Sequence, residues 1–170
     1  MTRRVETSRC PGCGAVLACV DGPTHPYMIA SPACYRKFTS ILAAEYESAA
    51  FMRTHHFTVD AYAVQHPGDG TDRRQIQSVG LHLARLCVQL AAPVPSRETN
   101  DVMLGFAKHK ATLKKLEPPR RFAVTAADVA PHAGQPDHCE RVTAWAAATW
   151  NDWAIQYDYI RDWIAYTKSK

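Results

Sequence analysis

The sequence predicts an all-α fold of four to five helices with an N-terminal zinc-knuckle loop region. Two observations carry this reading. From residue 32 onward apolar residues recur at helical spacing, with no convincing strand pattern between them. Ahead of them, Cys10-Pro11-Gly12-Cys13-Gly14 sets two thiols three positions apart among turn-forming residues. The 170 residues are read as one domain over 1–170, with the knuckle and loop region at 8–34 and the helical body at 32–168. A globule of that size buries roughly 70% of the surface its unfolded chain exposes, enough for a core.

Residues 8–31 carry Gly12, Gly14, Gly22, Pro11, Pro23 and Pro26 with little periodicity, and read as a compact loop region. Ser31-Pro32 is a helix start, with Ser31 as N-cap and Pro32 at the first helical position. The helix it opens is expected to run to about Met52, with Phe38, Ile41, Leu42 and Ala49 at helical spacing. Thr58 is the expected cap of a second helix through Asp60, Tyr62 and Val64, which Pro67-Gly68 ends. Thr71 or Asp72 opens a third, whose stripe Ile76, Val79, Leu83, Leu86 and Leu90 is spaced three, four, three and four. Pro93 and Pro95 stop it. A fourth helix is expected from Thr99 or Asn100 through Val102, Met103, Phe106 and Leu113. Residues 117–136, with four prolines and Gly134, read as a connection with a short helical turn near Thr125–Val129. From His138 to Thr167 there is no Pro or Gly. One long helix is expected there, its face running from Val142 through Trp150, Trp153 and Tyr157 to Ile164.

Composition excludes several classes. Hydrophobic residues make up 46% and charged residues 21%, ordinary globular usage that argues against disorder. No apolar run approaches the length of a membrane span. The stretch Met1–Arg9 has basic residues without an apolar run behind them, so no secretory signal is expected and the location is read as cytoplasmic. A net charge of +4 is too small and dispersed to name a partner.

In a reducing compartment six cysteines point to metal or redox chemistry rather than disulfide staples. Two residues between thiolates let Cys10 and Cys13 reach one tetrahedral zinc, and the glycines permit the tight turn. Cys34, in the first turn of a helix whose dipole favours a thiolate, is the natural third ligand. For the fourth, His25 in Pro23-Thr24-His25-Pro26 is the first choice, and His66 and Cys19 are the alternatives. A thioredoxin-like pair would follow a strand and open a helix, and no βαβ pattern is present. Cys87 and Cys139 lie within helical patterns and read as buried structural thiols.

Asp60, Gln65 and His66 gather at the end of the second helix, and His82 borders the apolar stripe of the third with Gln75 and Ser78 on its flank. Facing helices carrying Asp, Gln and His can bind a second metal or perform acid–base chemistry. Hydrogen bonding within the core is the plainer account, because no HxxxH spacing occurs. If the cluster is a site, its members should line one cavity with Trp145 or Trp150. The basic segment holding Lys108, Lys110, Lys114, Lys115, Arg120 and Arg121 suggests phosphate contacts. Without interleaved aromatics it reads more simply as solvated surface.

Several motifs occur in a telling order: Cys10-Pro-Gly-Cys-Gly-Ala15, Gly22-Pro-Thr-His25, Ser31-Pro-Ala-Cys34, Val59-Asp-Ala-Tyr62 with Gln65-His-Pro-Gly68, Gln77-Ser78 with His82-Leu83, and Trp145-Ala through Trp150 and Trp153. Together they resemble a family of small bacterial proteins known only as a domain of unknown function. The resemblance spans nearly the whole chain. It implies that Cys10, Cys13, Cys34 and His25 are motif positions fit to act as ligands, and that Asp60, Gln65, His66 and His82 belong to the same pattern. Tyr35 departs from it, standing where Trp is expected after the third cysteine. The expected function is a zinc-binding helical protein that acts by binding a small molecule or a protein. The alternative is a metal-dependent hydrolase or lyase using Asp60, His66 and His82. No specific nucleic acid and no membrane is expected as partner.

Overall fold

The computed structural model describes residues 6–92 and 95–170. Residues 1–5 and Pro93, the expected stop of the third helix, lie outside that range. The chain is all-helical, but the expectation of four to five helices is corrected: eight α-helices stand among the described residues, with a short β-hairpin before them. The hairpin pairs β1 (Thr7–Arg9) antiparallel to β2 (Val16–Ala18), with Arg9 opposite Val16. Its strands are three residues long and mostly exposed, too short to print an alternating pattern in the sequence.

α1 (Pro32–Glu47) starts as expected, with the Ser31 hydroxyl accepting from the Cys34 N–H at 3.2 Å. It stops where Ser48 turns extended, leaving a single turn, α2 (Ala49–Met52), before α3 (His55–Gln65). The cause is tertiary. Glu45 lies on the same stripe as the buried Cys34, Phe38 and Ile41, and its carboxylate is fully buried. The turn brings α3 back so that His55 Nδ1, at 2.9 Å, and the Thr58 hydroxyl, at 2.5 Å, meet that carboxylate. Thr58 is therefore a buried partner of Glu45 and not the cap of the second helix.

α4 (Arg73–Ala91) begins at Asp72, whose side chain accepts from the Arg74 N–H, and α5 (Ser96–Ala107) follows Pro95. A 3-10 turn at Lys110–Thr112 leads to Leu113, which the expected fourth helix does not reach. After α6 (Ala126–Val129), the expected long terminal helix is two: α7 (His138–Asp152) and α8 (Tyr157–Lys168), joined by a 3-10 turn at Ala154–Gln156. No Pro or Gly causes this break. The Asp152 carboxylate accepts from the Ala123 N–H at 2.9 Å, and the Trp153 ring is wholly buried, so outside contacts override local propensity.

Two hydrophobic cores result. One joins Cys10, Cys13 and Cys34 to Phe38, Ile41, Tyr62 and Trp145. The other gathers Val79, Leu83, Leu86, Phe106, Trp153 and Trp163. α3 passes between them and is buried along Asp60–Gln65. Among the described residues no helix is long and apolar enough to cross a membrane.

Gly80 is where α4 meets the Leu113 side chain most closely. A Cβ there would stand 2.5–3.1 Å from three carbons of that buried residue. Helix propensity alone would make Gly80→Ala stabilising by about 1 kcal/mol, whereas overpacking costs about 1–3 kcal/mol. The expected outcome is a lower urea midpoint for Gly80→Ala. A higher midpoint would mean that Leu113 gives way.

Candidate metal centre

Four side chains from three separate stretches converge beneath the hairpin. The hairpin turn carries Cys10 and Cys13, with the Cys10 N–H donating to the Ala15 carbonyl at 2.8 Å and the Gly14 N–H to the Cys10 carbonyl at 3.0 Å. Gly14 sits at φ +79°, which favours glycine, and a Cβ on Gly12 would collide with the His66 ring and the Ile29 carbonyl. Cys34 enters from the first turn of α1. His66 enters from the C-terminal end of α3.

The ligand atoms of Cys10, Cys13, Cys34 and His66 all lie within 4.8 Å of one another, and all four residues are buried. Cys13 Sγ and Cys34 Sγ are 3.7 Å apart, and His66 Nε2 is 3.4 Å from Cys34 Sγ and 3.6 Å from Cys10 Sγ. A tetrahedral ion bonded at about 2.3 Å to sulfur and about 2.0 Å to nitrogen has edges of roughly 3.8 Å between sulfurs and roughly 3.5 Å from sulfur to nitrogen. The Cys13–Cys34, Cys34–His66 and Cys10–His66 edges match these lengths, and the remaining edges lie within 4.8 Å. His66 Nδ1 lies 2.7 Å from the Tyr62 carbonyl, which can only accept, so Nδ1 carries the proton and Nε2 turns its lone pair toward the sulfurs. The arrangement is that of a Cys3His site able to hold a metal ion such as zinc.

Three thiols so close cannot all ionise by themselves. Hydrogen bonds from Cys13 and Cys34 hold the Cys10 thiol far below the usual range. The same contact with Cys10 pushes Cys13 up to about 11, and Cys10 and Cys13 together with burial raise Cys34 well above its ordinary value. Burial, with the sulfurs beside it, also raises the Tyr62 phenol. A bound divalent cation would remove the conflict by compensating three thiolates at once.

His25, the first choice for fourth ligand, is not in this cluster. Its Nδ1 accepts from the N–H groups of Tyr27, at 3.4 Å, and Met28, at 3.3 Å, so the ring caps its own turn. Burial lowers its pKa, with His82 adding to the effect. Cys19 is exposed on the far side of β2 from the turn, and the fourth corner is held by His66.

The remaining polar residues do not share one cavity. Asp60 accepts from Arg85 Nε at 2.9 and 2.8 Å, from Arg85 Nη2 at 2.6 Å and from Gln89 Nε2 at 3.3 Å, while His82 Nδ1 lies 2.6 Å from its Oδ1. Gln65 donates to the Val124 carbonyl and accepts from Trp145 Nε1 at 3.2 Å. Asp60 and His82 are thus brought together, whereas His66 faces the thiols and Gln65 belongs to a third network. Sequence reasoning missed Glu45, Arg85 and Gln89. Each had a signal: Glu45 continues the Cys34, Phe38, Ile41 stripe, and Arg85 and Gln89 continue the Gln75, Ser78, His82 row at spacings of three and four.

A profile of a family of unknown function, DUF5946, matches residues 8–154, and the chain belongs to that family. The match takes in all four members of the Cys3His cluster and the Asp60–His82 pair. No curated protein and no solved structure matches the chain.

Asp60 and Arg85 are both buried, so removing one charge strands the other. Asp60→Asn is expected to destabilise the fold by about 3–5 kcal/mol in urea unfolding. A loss below about 1 kcal/mol, the scale of an exposed pair, would show that this network does not hold α3 to α4.

Proposed function

We propose that the chain is a zinc protein whose single ion is structural, held by Cys10, Cys13, Cys34 and His66, and that it works as a binding protein rather than through chemistry at the metal. The observation that carries this reading is the convergence of four buried protein ligands within 4.8 Å of one another, three of their edges at tetrahedral length, with His66 Nδ1 on the Tyr62 carbonyl. Four protein ligands close a zinc coordination shell, whereas catalytic zinc keeps a position for water or substrate. Zinc suits three thiolates and an imidazole better than hard cations do. The ion would tie the hairpin to α1 and α3, a task for which the short exposed strands are poorly equipped. A hydrolase or lyase built on Asp60, His66 and His82 has less in its favour. His66 belongs to the thiol cluster, and Asp60 is closed off by Arg85 and Gln89. Six cysteines without a disulfide also suit a reducing compartment such as the cytoplasm.

Elemental analysis of the purified chain is expected to give one zinc per molecule. Cys34→Ser and His66→Ala should each lose the ion and lower the melting temperature by roughly 10 °C or more, the effect of several kcal/mol on a chain of this length. His25→Ala should keep the ion. Because protons compete for the three thiolates and for His66 Nε2, acidification should release zinc and alkaline pH should retain it. Metal-free protein that melts normally and ignores a chelator would overturn the reading.

A further inference from the structure

Beside the knuckle lies a cleft of about 610 Å³, walled on one side by the hairpin and on the other by the 119–128 segment. Small-molecule sites typically occupy about 300–1,000 Å³. Arg9 and Val16 are cross-strand partners, so their side chains stand next to each other on one face of the hairpin. Val16 is 60% exposed, an apolar side chain left uncovered at the cleft wall. From the opposite wall come Arg120 and Arg121, both exposed and neither in an ion pair among the described residues, with Phe122 next to them. The carboxylate in the lining, Asp128, is engaged in capping α6: its Oδ2 accepts from the Thr125 N–H at 2.8 Å and the Thr125 hydroxyl at 2.9 Å. The basic segment of the sequence is otherwise dispersed. Lys115 bonds the Asp69 carbonyl and Lys114 lies over the Tyr159 ring, whereas Arg120 and Arg121 line the cleft with Arg9, whose Nη1 donates to the Gly14 carbonyl at 3.3 Å.

We infer that this cleft binds a phosphate-bearing small molecule of nucleotide size, its phosphates on Arg9, Arg120 and Arg121 and a flat ring against Val16 and Phe122. Guanidinium groups are the side chains best matched to phosphate, through paired N–H donors and a permanent charge. Three arginines lining one cleft with apolar wall residues fit an anion with an attached ring better than a bare ion. The inference rests on the zinc reading, because the knuckle forms one wall and the ion would fix it. Arginines that merely offset the buried thiolates are the competing explanation, and the two differ in what they do to zinc.

The test uses the full zinc-loaded chain in calorimetric titration with ATP, pyrophosphate and adenosine. ATP and pyrophosphate should bind saturably, and adenosine weakly. Arg120→Ala and Arg121→Ala should each weaken ATP at least about tenfold, as expected for loss of a charge-assisted bond, with zinc content and melting temperature unchanged. Val16→Ser should weaken ATP and spare pyrophosphate. Zinc-loaded protein that binds neither phosphate compound would overturn the cleft and leave the zinc reading standing. Arginine variants that lose zinc and bind ATP normally would overturn it in favour of charge compensation. Binding of an oligonucleotide with no binding of ATP or pyrophosphate would overturn it too. A chain isolated without zinc that still binds ATP through these arginines would sink the zinc reading and support the cleft.

Discussion

Three buried thiols and one imidazole, their ligand atoms all within 4.8 Å of one another, are the constraint around which the N-terminal part of the chain is arranged. Contact with Cys10 and burial raise Cys13 and Cys34 above the usual thiol range, because two buried thiolates at this spacing repel and neither has water to screen it. Any arrangement that lets all three ionise must supply positive charge at the centre of the cluster. The backbone is prepared for that. Gly12 gives up its side chain to the His66 ring, Gly14 adopts a left-handed turn, and the Ser31 N–H points at Cys10 Sγ at 3.4 Å.

The helical body uses buried charge differently. Glu45 and Asp60 are both wholly buried, and each is surrounded by donors from another helix. Beside Glu45, His138 accepts from the Gly134 N–H at Nδ1 and aims Nε2 at the carboxylate from 3.5 Å. Such charged groups would be costly if orphaned, by roughly 3–5 kcal/mol each. Met by partners, they fix how α1, α3, α4 and α7 face one another. The two carboxylates thus act as joints within the core, which is how they differ from the sulfur cluster that joins loop to core.

Much of this was legible in the amino-acid sequence because it is local. The cap at Ser31, the stripe on α4 and the Cys10–Cys13 turn depend on neighbours within a few residues. The misses share one cause. Ser48 ends α1 because Glu45 needs partners on α3, and Trp153 ends α7 because Asp152 is held by Ala123. The third and fourth corners of the cluster show the same contrast. Cys34 sits at a recognisable helix start, whereas His66 reaches the thiols only because α3 returns beneath the hairpin. His25 looked better placed along the chain and is in fact occupied by its own turn.

α3 has a property that its sequence hides. Thr58, Asp60 and Gln65, with His66 at its C-terminal cap, reach α1, α4, α7 and the knuckle in turn. An ordinary amphipathic helix can slide or turn against an oily groove with modest loss, because hydrophobic contact has no direction. This one cannot. Moving α3 by a single residue would swing its side chains by about 100° and unseat all four polar partners together. The helix is keyed like a lock barrel with pins on every side, so near-native packings are separated from the native one by a wide gap rather than a graded slope. Register, more than strength, is what the buried polar residues of α3 provide.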